Sequence, residues 1–396
     1  MKPKLLVLAS TFPGIPGDGT PAFVLDLAWQ QAKEFDVTVL TPMVPGAALS
    51  ETIPSPDGST SVGVVRYRYF FKSFEDLAHG AILDNLKAKK SRLVQVPFLA
   101  HFLFYGTRRL VRVLKPAAIH SHWVIPQGIL ATLAAPSVPM LVTTHGGDIY
   151  ALNAAPIVAL KRWVFGRAKA ITTVNSQMKA RLVAWGQPSE KISLLPMGVD
   201  TRTVGELVAK TAKVAGQMLV VGRLVEKKGI EYLFEALRML QHRGVAVGRL
   251  VVIGDGPIRA QLEAKAEGLN VEFRGQRGRA EVLEAIAQSE VMLIPSVTAA
   301  NGDQEGLPVT LLEGAAGKVC VIASNLPGID EVITDAESGI LVGQRDAAAL
   351  ADALQLALAD SELRARLAAG IAESVKRFDI NVIGEGYNRV LKGIIG

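Results

Sequence analysis

Short apolar runs alternate with amphipathic stretches along almost the whole chain, and the alternation runs through twice. In the first half, Leu5–Ala9, Val37–Leu40, Ala118–Ser121, Met140–Thr144, Ala170–Val174 and Ile192–Leu195 are near-continuously apolar. Runs this short read as strands buried on both faces. Between them Pro21–Lys33, Pro126–Leu133 and Gln177–Trp185 carry helical patterns, with Ser176 placed to cap the last. The rhythm then restarts. Met218–Val221, Leu250–Ile253, Val271–Phe273, Val291–Ile294 and Val319–Ala323 read as strands, and Ile230–Gln241, Pro257–Glu267, Ala280–Gln288 and Pro308–Ala316 as helices. Strands alternating with helices imply parallel sheets covered on both faces. The expected fold class is α/β, with two Rossmann-like, doubly wound domains.

At 396 residues the chain exceeds one ordinary core. Residues 198–216 show no clear apolar period and carry Gly198, Gly205 and Gly216. They are expected to be a linker between a first domain, 1–197, and a second, 217–376. Two Ala/Leu-rich helices, Asp346–Asp360 and Ser361–Lys376, close the second domain. Residues 377–396 hold one more amphipathic helix, marked by Ile380, Val382, Ile383, Tyr387, Val390 and Ile394. Two such domains would face each other across a cleft, with ligands at the carboxyl ends of the strands.

Composition narrows the function classes. With 49% hydrophobic and 20% charged residues, the chain is globular. Its net charge of +6 is a mild excess that fits an anionic ligand or a membrane surface, and nucleic acid is not an expected partner. The single cysteine, Cys320, allows no internal disulfide, so a reducing compartment is allowed; a cytoplasmic setting is expected. Cys320 lies in the run Val319-Cys320-Val321-Ile322 and reads as a small buried hydrophobe. The apolar run after Met1-Lys2-Pro3-Lys4 is too short for a signal peptide and reads as a first strand. No apolar stretch reaches the length of a membrane helix; Val96–Tyr105 contains His101 and runs into Arg108 and Arg109.

The chemistry concentrates in a few junctions. Glu305-Gly306-Leu307-Pro308-Val309-Thr310-Leu311-Leu312-Glu313 leads a loop into a helix. Pro308 suits the first helical turn, Gly306 lets a ligand approach the backbone, and the helix start favours an anion such as a diphosphate. Glu305 and Glu313 bracket that start, and could contact sugar hydroxyls and a ribose diol. On spacing alone the plainer reading is stronger: a solvated loop acid and a surface helix acid. Gly222-Arg223-Leu224-Val225-Glu226-Lys227-Lys228-Gly229 follows a strand and opens a helix. Arg223 and Lys228 could hold a leaving diphosphate, or form an ordinary basic helix cap. Gly254-Asp255-Gly256-Pro257 is a tight turn of a kind many α/β proteins have.

In the first half, the glycine-rich loop Pro13–Thr20 matches neither the dinucleotide fingerprint nor a Walker A loop. It could line a site for a sugar or phosphate. His145-Gly146-Gly147-Asp148 follows a strand and is a fair site candidate. His120 and His122 form an H-x-H pair, for which structural hydrogen bonding is a better reading than metal.

These pieces, in this order, resemble glycosyltransferase family 4, a large retaining family with the GT-B fold. The resemblance covers nearly the whole chain and includes Leu195-Pro196-Met197-Gly198-Val199-Asp200 as a hinge-entry motif. It implies a nucleotide-sugar donor, a UDP-sugar by default with GDP-mannose open, and a glycan or lipid-linked acceptor. Catalytic roles would fall to Glu305, Arg223, Lys228 and His145. Arg223 and Lys228 would hold the diphosphate, Glu305 would contact the donor sugar, and Glu313 would bind the ribose. Gly19, Gly254 and the backbone of Gly306, Leu307, Pro308, Val309 and Thr310 would lie near the phosphates. His145 would sit against the donor sugar and Asp148 on the acceptor side. The final helix would pack back on the first domain. Similar enzymes need no metal and no separate cofactor. Gly314 and Ala315 depart from the family, which often has Ala and a larger apolar residue there, and Asp330 replaces a frequent Pro.

The stretch from Phe70 to Lys115 is less regular and rich in both basic and aromatic residues. It reads equally as a docking surface for the anionic inner face of a membrane and as a solvated basic face over a core helix. Two other functional classes fit the same architecture. One is a sugar-nucleotide epimerase, and the other a two-lobed binding protein without catalysis. A nicotinamide enzyme lacks its fingerprint.

Overall fold

Each apolar run becomes a strand, and those inside a sheet are hidden on both faces. The computed structural model describes residues 1–15, 19–78, 80 and 82–396. They divide into two units, one of Met1–Met197 with Ile380–Gly396 and one of Gly198–Asp379.

The first unit is built on an eight-stranded sheet. Its strands are β1 (Lys4–Leu8), β2 (Asp36–Pro42), β3 (Ser50–Pro54), β4 (Ser61–Tyr67), β5 (Ala118–His122), β6 (Met140–Thr143), β7 (Ala170–Thr173) and β8 (Ile192–Leu194). Their order is β3-β4-β2-β1-β5-β6-β7-β8. All neighbours are parallel except β3 and β4, an antiparallel hairpin at the edge. That pair corrects the expectation of a purely parallel sheet. Residues of β3 alternate between exposed and half-buried, so no apolar run marks it, and Pro54 is tolerated because it ends an edge strand.

The second unit holds six strands: β9 (Met218–Val221), β10 (Leu250–Ile253), β11 (Val271–Gly275), β12 (Val291–Ile294), β13 (Cys320–Ser324) and β14 (Ile340–Val342). Their order is β11-β10-β9-β12-β13-β14 and all pairings are parallel. Successive residues of β10 feed opposite cores, Val251 and Ile253 one, Leu250 and Val252 the other. This is a sheet with helices on both faces. Cys320 is buried in the second core, and burial pushes its thiol up to about 11, so it is inert packing.

Three local readings change. The stretch read as a linker contains a helix, Thr201–Lys210, capped by Asp200, whose carboxylate accepts the Thr203 N–H at 2.9 Å. Its Val204 is buried in the core of the second unit, with Leu207 and Val208 against it. Only one apolar stripe surfaces in ten residues, which hides the period. Asn175, not Ser176, caps the helix Ser176–Ala184, accepting the Met178 N–H at 2.8 Å. The irregular basic stretch contains a regular nineteen-residue helix, Val96–Leu114. Among the described residues no helix is long and apolar enough to cross a membrane.

The final helix, Ile380–Ile395, belongs to the first unit. The Tyr387 hydroxyl donates to the Leu195 carbonyl at 2.8 Å, and the Asn388 amide donates to the Gln30 carbonyl at 3.0 Å.

Candidate functional site

In the second unit the strand order reverses direction beside β9. Chain continuity runs outward from β9 through β10 to β11, and the next strand, β12, pairs with the other side of β9. Loops leaving adjacent strands on the two sides of such a point diverge and leave a crevice. The loops after β9, β10 and β12 carry the residues singled out from the sequence.

Glycine makes their close approach possible. A Cβ on Gly254 would stand 2.0 Å from the Gly222 carbonyl oxygen, and one on Gly256 would stand 2.2 Å from that of Leu224. A Cβ on Gly229 would stand 1.9 Å from the Pro295 carbonyl oxygen. Gly222, Gly229 and Gly254 also have positive φ, at 153°, 61° and 139°. The loops therefore pack backbone to backbone. At Gly254, expected near the phosphates, the missing side chain serves the backbone contact with Gly222.

Lys228 follows from that packing. Its side chain folds back over Gly222, where a Cβ would meet Lys228 Cε at 2.8 Å. Its Nζ then lies 3.2 Å from Glu305 Oε1, both side chains being largely buried. Burial pushes the Glu305 carboxyl up, but the charges of Lys228 and Lys227 outweigh it and hold the group below the usual glutamate range. The buried carboxylate is thus held charged beside the Lys228 side chain. Sequence spacing did not reveal this pairing, because 77 residues separate the partners.

The loop after β12 has further ties that the sequence reading missed. Lys227 pairs with Asp303 at 3.2 Å, and Glu226 accepts the Ala300 N–H at 2.8 Å. Gln304 accepts from the Thr298 hydroxyl at 3.0 Å. Acid and base on short 3₁₀ and loop segments leave no periodic signal.

Gly306, Leu307 and Pro308 lead into the helix Val309–Ala316, with Pro308 as the extended residue before the first turn, not within it. Thr310 lies in that first turn. Glu313 is buried at 8% exposure, which removes the reading of a surface acid. Gly314 faces β12: a Cβ there would stand 2.4 Å from Met292 Sδ. Arg223 stands in the turn after β9, between Gly222 and the loop that Gly256 contacts.

The first unit has its own reversal point between β1 and β5. Gly19 is half-buried in the loop after β1, and residues 16–18 of that loop lie outside the described residues. Trp123 follows β5 with φ 68°, and His145 follows β6. His145 packs against Trp123 and Phe23, ring centroids 4.5 and 5.3 Å apart, and stacks on His122 at 5.2 Å. Its Nε2 lies 3.0 Å from His122 Nδ1. Burial lowers all three histidines: His120 and His145 to about 3, and His122 well below its usual value. They are neutral rings at neutral pH.

His120 is spanned by Gln31 and Thr143, each at 2.7 Å, and Thr143 continues to Thr172 at 2.6 Å. Hydrogen bonding therefore occupies the first histidine of the H-x-H pair. Among the described residues no three His, Cys, Asp or Glu side chains are grouped to hold a metal ion. His122 Nε2 is buried with no partner among the described residues. A bare buried lone pair costs less than a bare N–H. A proton on His122 Nδ1, donated to His145 Nε2, would leave that lone pair bare and give His145 an Nδ1–H.

Asp148 is bound into the backbone of two turns. One oxygen accepts the N–H groups of His145 and Gly146 at 3.0 and 3.2 Å, and the other accepts the Val124 N–H at 3.3 Å. Burial pushes its carboxyl up. Both oxygens accept from backbone, so Asp148 ties the His145 turn to the Trp123–Val124 turn.

Residues 17–203 match the family described as Glycosyltransferase Family 4, and residues 210–373 match Glycosyl transferases group 1. The chain belongs to this family of glycosyltransferases. It is 35% identical over 195 residues to the putative colanic acid biosynthesis glycosyltransferase WcaL of Escherichia coli, covering 48% of each chain. It is 34% identical over 287 residues to WcaL of Salmonella typhimurium, covering 71% of this chain and 66% of that one. The matches thus span about half to two thirds of the length of these curated relatives. The putative teichuronic acid biosynthesis glycosyltransferase TuaC of Bacillus subtilis is 26% identical over 89% of this chain and 88% of its own. In fold, the chain is similar to sucrose-phosphate synthase from Thermosynechococcus elongatus, with a TM-score of 0.76, 19% identity and 99% of each chain covered. It is also similar to Anabaena HepE in complex with UDP-glucose, at a TM-score of 0.70, 16% identity and 99% and 100% coverage. The fold is GT-B.

Proposed function

We propose that this chain is a retaining, metal-independent glycosyltransferase. It moves a sugar from a nucleotide donor, a UDP-sugar in the first instance, to a glycan or lipid-linked acceptor in polysaccharide or cell-envelope biosynthesis. The observation that carries the reading is the buried Lys228–Glu305 pair, set where the loops after β9 and β12 diverge and beside the start of the helix Val309–Ala316. A departing nucleoside diphosphate needs positive charge already in place. Lys228 supplies it beside the Glu305 carboxylate, and Arg223 adds a planar fork suited to phosphate oxygens. The N–H groups at the helix start take the remaining phosphate oxygens. Glu305 turns toward sugar hydroxyls once Lys228 engages phosphate, and Glu313 holds the ribose. With charge supplied in this way, the reaction has no need of a cation. The chemistry runs on one face of the sugar, with a donor phosphate oxygen taking the acceptor proton.

The test is nucleotide-dependent thermal stabilisation, with and without chelator, followed by turnover. A nucleoside diphosphate at about 100 times its dissociation constant adds about 2.7 kcal/mol and shifts the melt visibly. The shift is expected to survive chelation, to be strongest with UDP, and to vanish in Glu313→Ala. Lys228→Ala is expected to cost on the order of 10²-fold in turnover. A folded protein that no nucleotide stabilises would instead be the two-lobed binding protein. Conversion of the nucleotide sugar without an acceptor would mark an epimerase.

A further inference from the structure

Between Phe70 and Lys115 the sequence carries nine Lys and Arg against three Asp and Glu. That excess equals the +6 of the entire chain, so all other residues together are neutral. The structure shows what this charge surrounds. The helix Val96–Leu114 buries only a narrow stripe, Leu99, Leu103 and Thr107. It turns Phe98, Phe102 and Tyr105, spaced four and three residues apart on one face, outward at 45%, 42% and 55% exposure. Phe70 links this face to its neighbours, with ring centroids 5.4 Å from Phe98 and 5.3 Å from Phe71. Phe71 and Phe74 are 75% and 64% exposed. Aromatic surface gathered in this way is not the scattered apolar exposure of an ordinary monomer.

The rim is basic. Lys72, Lys89, Lys90, Arg108, Arg109 and Arg112 are exposed. The acids described there are occupied: Glu75 is buried against Arg68 and the Tyr69 N–H, and Asp76 binds Arg92 and Gln95. We propose that this face docks on an anionic lipid bilayer, with its aromatic rings at the headgroup level and its Lys and Arg against lipid phosphates. Charge selects the occupant. A second copy of the chain would bring +6 against +6, whereas an anionic surface meets aromatic rings and cations in the combination that interfacial binding uses. The inference stands on the first unit and is independent of sugar transfer in the second.

Vesicle flotation tests it with the whole chain. The protein is expected to float with vesicles of phosphatidylcholine plus phosphatidylglycerol, and not with phosphatidylcholine alone. Each charge removed in Lys89→Gln/Lys90→Gln should weaken binding about fivefold, from about 1 kcal/mol per basic residue. Phe71→Ser/Phe74→Ser should weaken binding that persists at high salt, where Debye screening is short, about 3 Å at 1 M. Equal flotation with both lipids, or undiminished binding by both double variants, overturns the proposal. So does a dimer in solution that these variants convert to monomer, because the face would then belong to a second copy. Nucleotide stabilisation should be unchanged in every variant, which separates failure here from failure of the transferase reading.

Discussion

Two buried groups of opposite charge state stand out at the scale of single residues. Glu305 stays ionised because the lysines beside it outweigh its burial. His145 stays neutral because burial dominates. The glutamate was legible as half of a spaced pair of acids, but its partner was not, since the pairing depends on a lysine folding over a glycine. His145 was legible as a strand-end histidine beside glycines, while the ring it bonds, His122, lies 23 residues earlier on a neighbouring strand. The tautomer follows from His122, because the hydrogen bond at one ring nitrogen decides the proton on the other. His122→Asn keeps an N–H donor near the same place and is expected to hold turnover within a few-fold. His122→Phe removes that donor and should lower kcat on the order of tenfold, as loss of a ligand-orienting partner does. The ¹⁵N shifts of the His145 ring separate this from simple loss of packing. They should keep the Nδ1–H pattern in the Asn variant and change in the Phe variant; identical shifts in both would remove the positioning role.

Strands buried on both faces were legible with their bounds, whereas the elements that escaped lie at a sheet edge or show solvent along much of their length. Met218–Val221, Leu250–Ile253 and Val291–Ile294 were bounded correctly because a strand between two neighbours and two helix layers is apolar at every position. The hairpin of β3 and β4 and the helices Thr201–Lys210 and Val96–Leu114 escaped, because each shows solvent much of its length. In Val96–Leu114 the outward face is itself aromatic, so the apolar pattern pointed away from the stripe that packs. The helix Val309–Ala316 shows how packing explains a departure from the family. Gly314 lies where a Cβ would meet Met292 Sδ at 2.4 Å. Gly314→Ala should therefore destabilise the protein by about 1–3 kcal/mol through overpacking, although alanine is the better helix former. Met292→Val shortens the obstructing side chain. The two changes together should cost less than their sum in a double-mutant cycle of denaturant melts. Strict additivity would mean that the contact does not set the requirement for glycine.

Over the whole molecule the chain order and the folding units do not coincide. The second unit is one continuous segment, Gly198–Asp379, whose two ends are bridged where Val199 pairs with Asp379. The first unit is discontinuous and needs the last seventeen residues of the chain. Alternating runs announced two domains, and the amphipathic stretch at the end announced a helix, but no periodicity says which core a terminal helix joins. Burial does. Ile380, Ile383, Tyr387 and Leu391 of that helix are buried. At about 1.5–3 kcal/mol each they contribute roughly 6–12 kcal/mol, as much as the net stability of a typical domain, about 5–15 kcal/mol. Tyr387 also closes onto Leu195 at the end of the last strand, and Gly384 fits against Gln30, where a Cβ would stand 2.5 Å from its Cβ. A fragment of residues 198–379 should consequently melt cooperatively on its own. A fragment of residues 1–197 should show no cooperative transition and should bind a dye for exposed apolar surface. Within the full chain, Tyr387→Ala should cost about 3–5 kcal/mol, the scale for a large buried aromatic. It should lower the melting of the first unit while leaving that of the second unchanged, which calorimetry resolves as two transitions. A cooperative melt of residues 1–197 alone would show that the final helix decorates the first unit and does not complete it.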